Sequence, residues 1–163
     1  MGAFVGDALG APFEGARPDD IPHLDDSSLI TRKPLRYTDD TQMNISVFEE
    51  MLDHGSIDPE SLRKRFLSRY QQWRSYGGGM LRLFNSWLSS DRQRVEANQL
   101  WEGQGSFGNG AAMRSGSIAL FFKEDEMGEM IEEVRKNALI THTHIIGITG
   151  AVLLASAVLC ALN

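Results

Sequence analysis

A single cysteine, Cys160, stands among 163 residues, so no internal disulfide framework is available. That usage suits a reducing compartment, and the expected location is intracellular and cytoplasmic, with the nucleus and mitochondrion as alternatives. No run of Lys or Arg stands out, and 16 basic against 22 acidic side chains leave a net charge of −6. A nonspecific nucleic-acid binder is therefore not expected. The opening Met1-Gly2-Ala3-Phe4-Val5-Gly6 lacks a basic n-region, and Gly6 stands where a myristoylation signal needs Ser or Thr. Strand-like alternation is missing, as is any internal repeat. What remains is an ordinary soluble composition, 42% hydrophobic and 23% charged, of a length that fits one domain, residues 1–163. The chain reads as all-α.

The one long uncharged run is Ile145 to Leu162, which reaches the minimum length of a membrane span. Its Gly, Ala, Ser and Thr content and the lack of flanking basic residues favour a central buried helix instead, with no membrane association. Other helices announce themselves by period and punctuation. Met43, Val47 and Met51 recur every four residues between Thr41 and His54, with Gly55 at the stop position. Asp58-Pro59-Glu60 opens a second helix in the expected order of cap, proline and acid, with Leu62, Phe66, Tyr70 and Trp73 as its buried stripe. After the break at Gly77-Gly78-Gly79, Leu81, Phe84, Trp87 and Leu88 predict a short helix. Further helices are expected over 111–122 and over 124–140, the latter turning Met127, Met130, Ile131, Val134 and Ala138 inward. At the start, Gly2, Gly6 and Gly10 lie four apart and would make one smooth helical face on which another backbone could pack closely. Residues 15–36, with Pro18, Pro22, Pro34 and the pairs Asp19-Asp20 and Asp25-Asp26, read as an irregular surface excursion.

Three stretches carry chemistry. Tyr37-Thr38-Asp39-Asp40-Thr41 places two adjacent carboxylates between hydroxyls at a helix start, where N–H groups and the helix dipole tolerate their charge. Such a pair either caps the helix or binds a hard cation such as Mg²⁺ through oxygen. Gly103 to Gly110 sets four glycines around Ser106 and Asn109, forming a loop whose N–H groups could approach a ligand. It is no Walker A loop, because the Gly-Lys-Ser/Thr ending is absent. His142 and His144 lie two apart, a poor spacing for two metal ligands on one helix face. Asp7 reads as a surface or capping charge, and Glu14 as a loop carboxylate.

Together, Gly6-Asp7-Ala8-Leu9-Gly10 through Glu14, Tyr37 to Thr41, Gly105 to Arg114, and Thr141-His142 with Gly147 and Gly150-Ala151 resemble the ADP-ribosylglycohydrolase family. The resemblance includes the family's dinitrogenase reductase-activating members and runs from end to end of the chain. It implies an orthogonally packed multi-helix bundle with a binuclear Mg²⁺ site, Mn²⁺ being a possible substitute, and a cleft for ADP-ribose or an ADP-ribosylated protein. By similarity, Thr38, Asp39 and Asp40 ligate metal and Glu14 reaches in beside them; Glu14, Asp39 and Asp40 are then the catalytic candidates. Gly105, Ser106, Phe107, Gly108 and Asn109 would hold diphosphate and ribose. Trp101 would stack on adenine, Phe107 would form a second aromatic wall, and His142 would support the diphosphate. The wording of the loop is closer to the branch that frees serine than to the arginine-specific one. The family's second acidic cluster, of Gly-Asp-Thr-Asp-Thr type, does not follow residue 41, and residues typical of the family before Met1 are missing too. The expectation is thus the N-terminal portion of the fold: a hydrolase half-site or, as the alternative, an inactive ADP-ribose-binding or structural relative.

Overall fold

The computed structural model describes residues 2–21, 35–89 and 94–162. Among them every regular element is helical: α1 (Gly2–Gly10), α2 (Asp39–His54), α3 (Pro59–Arg69), α4 (Gly78–Leu88), α5 (Met127–Leu139) and α6 (Ile145–Leu162), joined by short 3₁₀ turns. The all-α expectation is met.

The central helix is α2. Thr38 caps its start, its hydroxyl accepting from the Asp40 N–H, and Gly55 ends it at φ 68° with its N–H donated to the Met51 carbonyl. Met43, Val47 and Met51 are buried as their spacing requires, and Asn44, Ser46 and Glu50 are buried on other faces as well. A helix covered on several sides needs its polar groups answered. Glu50 accepts from Ser61 Oγ at 2.9 Å and Arg65 Nε at 3.1 Å. Arg65 also pairs with Glu49 and Asp53, which ties α2 to α3.

In α3, Asp58 caps Ser61 at 2.7 Å with Pro59 in the first turn, as expected. Its buried stripe stops at Phe66. Tyr70 is half-buried against Tyr76 and Phe84, while Trp73 is 59% exposed and lies 4.1 Å from the Arg74 guanidinium. The helix ends at Arg69, so its period no longer governs Trp73. The glycine triplet starts α4 rather than interrupting the chain ahead of it: Gly77 is the N-cap, and Gly78 and Gly79 belong to the first turn. The face of α4 is rotated from the expected one, burying Met80, Leu83, Phe84 and Trp87 and leaving Leu88 exposed.

Three expectations are corrected more substantially. Residues 111–122 do not form one helix but two 3₁₀ turns, Ala112–Arg114 and Ile118–Phe121. Ser115 Oγ donates to the Ala111 carbonyl at 2.7 Å and Ser117 Oγ to that of Arg114, so side chains compete for the acceptors that a helix would use. The apolar α6 is not central. It packs on α5 and on the 3₁₀ turns Ala112–Arg114 and Ile118–Phe121, buries one stripe, Gly147, Ala151, Ala155 and Leu159, and exposes Ile145, Ile146, Leu153, Leu154 and Leu162. Finally, a methyl group added at Gly2, Gly6 or Gly10 would meet nothing within 4 Å among the described residues, so the smooth face of α1 hosts no close packing there. The expected α5 is found, with Met130, Val134 and Ala138 buried. Asp25-Asp26 lies outside the described residues.

Candidate active site

The start of α2, the 3₁₀ turn Ala11–Phe13, the glycine-rich loop after Leu100 and the residues before α6 surround a cleft of ≈ 1230 Å³. Asp39, Asp40 and Glu14 line one part of it; Trp101, Ser106, Gly108, Asn109 and His142 line another. Residues up to 136 positions apart in sequence, Gly6 and His142, therefore face one space.

The acidic part is built on an unanticipated residue. Asp7 reaches from α1 to the start of α2, where its carboxylate accepts from the Thr38 N–H at 2.9 Å, the Thr38 hydroxyl at 2.8 Å and the Thr41 N–H at 3.1 Å. It answers donors that a helix start leaves open. Asp7 was legible as a cap but not as a cap for another helix, 31 residues away. The Asp39 N–H is held by the Arg74 carbonyl at 2.8 Å. Burial, then the neighbouring Asp40 charge, then Glu14 and Asp7 push the Asp39 carboxyl up to about 7. Asp40 is raised too, by burial and by the charges of Asp7 and Glu14. Among the described residues no Lys or Arg forms an ion pair with any of the four acids. Arg74, whose carbonyl holds the Asp39 N–H, donates to the Tyr37 carbonyl and Gln71 and lies over the Tyr37 ring at 3.4 Å.

That donor set fits a hard divalent cation in kind: adjacent carboxylates, hydroxyls and uncompensated negative charge. Thr41 Oγ1 is buried one residue from the pair with no hydrogen-bond partner among the described residues. In number the set falls short, because no three His, Cys, Asp or Glu side chains among those residues converge as a metal site. Thr38 itself is buried and not part of the cleft lining, its hydroxyl shared between Asp7 and the Asp40 N–H.

In the glycine-rich loop, the N–H groups of Gly103 and Gly105 both donate to the Leu100 carbonyl. Trp101 and Glu102 hold positive φ of 54° and 59°, uncommon for residues with a Cβ and a mark of a functional constraint. Trp101 is 54% exposed on the cleft wall, a large apolar surface left open. Gly105 has φ 75°, and a methyl group there would lie 2.1 Å from Thr143 Oγ1. At Gly147 a methyl group would lie 2.8 Å from the Ser106 carbonyl, so α6 fixes how far the loop can approach. Gly147→Ala is expected to displace the Ser106 segment, weakening cleft ligands about tenfold with a melting temperature change of a few degrees. Titration beside a thermal melt checks this. Of the expected substrate residues, Gly105 and Phe107 do not line the cleft; Phe107 is 60% exposed and packs edge-on against His144 at 5.6 Å.

Comparison with known proteins shows the family of the chain. A family model described as ADP-ribosylglycohydrolase matches residues 1–163. The chain belongs to the ADP-ribosylglycohydrolase family. It is similar to proteins named ADP-ribosylhydrolase ARH3, with 35% identity in Xenopus tropicalis, over 100% of this chain and 49% of the relative. The Gallus gallus protein of that name is 33% identical (99% and 48% covered) and the Homo sapiens one 30% (99% and 48%). The chain thus spans about half the length of the curated relatives it matches. In this member of the ADP-ribosylglycohydrolase family, an exposed Trp, a glycine-rich loop and an acid pair line one space.

Proposed function

We propose that this chain forms the ADP-ribose cleft and one metal-binding acid cluster of a hydrolase that releases ADP-ribose from a protein side chain. The observation that carries the reading is the convergence of Asp39 and Asp40 with Trp101, the Ser106–Asn109 segment and His142 around one cleft. An aromatic face suits adenine, backbone N–H groups and a neutral imidazole suit a diphosphate, and oxygen-rich acids suit a cation beside the ribose. The wording Gly105-Ser106-Phe107-Gly108-Asn109 supports serine as the acceptor side chain.

Asp39, Asp40 and Glu14 would hold Mg²⁺, with Thr38, whose hydroxyl is engaged by Asp7 and the Asp40 N–H, supporting them from behind. When bound, the ion supplies charge that orients ribose hydroxyls and lowers the pKa of water. The chain's own residues do the remainder. The loop and Trp101 fix the ligand at both ends, so the anomeric carbon is held near the acids rather than in bulk water. As the glycosidic bond breaks, water adds at that carbon; one carboxylate accepts a water proton, and the departing hydroxyl gains one.

A second reading, binding without turnover, is favoured by one observation: the acids present do not amount to a complete metal site among the described residues. Calorimetric titration with ADP-ribose, with and without MgCl₂, tests the shared part. Binding strengthened by Mg²⁺ is expected, and the combined Asp39→Asn and Asp40→Asn variant should lose that strengthening and bind at least tenfold more weakly. Absence of binding by the unmodified chain, or equal Mg²⁺ dependence in the double variant, would overturn the proposal. Release of ADP-ribose from serine-modified protein then separates catalysis from binding alone.

A further inference from the structure

Behind the glycine-rich loop lies a polar chain that no step above uses. Arg114 is fully buried and forms no ion pair among the described residues, though the charge of Asp39 acts on it. Its guanidinium lies 5.0 Å from the centre of the Phe66 ring. Four of its hydrogen bonds are spent on neutral acceptors. Nε donates to Asn137 Oδ1 at 2.8 Å and one terminal nitrogen donates to the Gly110 carbonyl at 2.9 Å. The other donates to the Asn137 carbonyl at 2.8 Å and to Thr141 Oγ1 at 2.9 Å. Asn137 is itself oriented, because its amide nitrogen donates to Ser115 Oγ at 3.0 Å. One planar fork therefore grips the end of the glycine-rich loop and the residue before His142 together.

Thr141 passes this on. A hydroxyl has one proton and two lone pairs; Thr141 Oγ1 accepts from a guanidinium that cannot accept in return. Among the described residues His142 Nδ1, 2.7 Å away, is the acceptor within reach of its proton. An Nδ1 that accepts leaves the ring proton on Nε2 in the neutral imidazole. The Nε2 edge faces the loop: a methyl group at Gly110 would lie 3.1 Å from Nε2, and one at Gly108 3.9 Å. Both glycines line the cleft, as does His142.

We propose that Arg114 and Thr141 are positioning residues, which hold His142 as the Nε2–H tautomer and fix its distance from the loop so that it presents a neutral N–H donor to an anionic group in the cleft. The inference rests on the reading of the cleft as an ADP-ribose site, the anion being the diphosphate. The burial of His142 and the nearby Arg114 charge, which hold its pKa down to about 3, agree with a ring that stays neutral. Such a donor takes an anion without bringing a second cation beside Arg114, and its donor edge does not vary with pH near neutrality.

The test is ¹⁵N NMR of the histidine rings at neutral pH, alongside ADP-ribose titration. The unmodified chain should show an unprotonated Nδ1 and a protonated Nε2 at His142. Thr141→Val, which keeps the shape and removes the hydroxyl, should shift the ring towards Nδ1–H and weaken ADP-ribose about tenfold. Thr141→Ser should restore both. An Nδ1–H ring in the unmodified chain, or an unchanged tautomer in Thr141→Val, overturns the inference. So does a changed tautomer with unchanged affinity. If the tautomer behaves as stated but the unmodified chain binds no ADP-ribose, it is the assignment of the cleft that fails.

Discussion

Arg114→Met is expected to destabilise the fold by about 3 kcal/mol. The substitution removes four charge-assisted hydrogen bonds, each worth roughly 1.5–3 kcal/mol, and leaves Asn137 Oδ1 and the Gly110 carbonyl without their donor. Against that stands the return of the desolvation penalty of a buried cation, several kcal/mol. The hydrogen bonds win because the acceptors on Asn137 and Thr141 stay buried when the side chain goes. Burial pushes the guanidinium down to about 9, so it remains charged at neutral pH and the full set of bonds is at stake. For a chain of this size the loss corresponds to a melting temperature about 9 °C lower, measurable by calorimetry. An unchanged or higher melting temperature would mean that the cation's desolvation outweighs its bonds.

Asp39→Asn should act in the opposite direction, adding about 2 kcal/mol of stability at pH 7.5. The native carboxyl is raised from 3.8 to about 7, so the folded state keeps a proton that the unfolded chain has already lost. Stability therefore falls as pH rises across that window, and the whole cost is present above about pH 7. The full shift would be worth about twice the stated amount; solvent at the partly open cleft screens it. The gain from the substitution should vanish near pH 4. His142 contributes with the other sign. Its pKa is lowered from 6.5 to about 3, so the unfolded chain takes up a proton that the native ring refuses, and stability is lost as pH falls below 6.5. The two slopes oppose one another between about pH 4 and 6.5, and D39N should expose the acid-side loss that the unmodified chain masks. Melting curves across pH 4–8 check this; a D39N profile parallel to that of the unmodified chain would contradict it. MgCl₂ should raise the melting temperature of the unmodified chain more than that of D39N.

Helix boundaries were legible where the signal is local. Thr38 and Gly55 bracket α2, and Asp58-Pro59 starts α3, because caps and turn residues act within a few positions of themselves. What failed was partner choice. In α6 nearly every residue is apolar, so no period singles out the buried stripe of Gly147, Ala151, Ala155 and Leu159. Over 111–122 the apolar residues suggested a helix, but the buried Arg114 is anchored 23 positions away on Asn137 and the serines bond backward. At the site, Asp39, Asp40, Glu14, Trp101, Ser106, Gly108, Asn109 and His142 came from resemblance to a family, and the structure brings them to one cleft. Asp7 and Arg114 were not selected, since each acts through a contact more than twenty residues distant. Phe107 was selected as an aromatic beside the loop, but neighbours along the chain need not face the same way.

The grip of Asp7 on the start of α2 also sets the thermal character of the cleft. No residue of α1 is fully buried, and only Phe4, Ala8 and Leu9 among its apolar side chains are half-buried, so those carboxylate bonds carry a large share of its attachment. Heat capacity of unfolding rises with apolar exposure and falls with polar exposure. Release of α1 alone should then change the heat capacity far less than loss of the core around Met43, Val47 and Phe84. Cooling, which weakens hydrophobic burial, should therefore loosen that core more than it loosens the α1 side of the cleft.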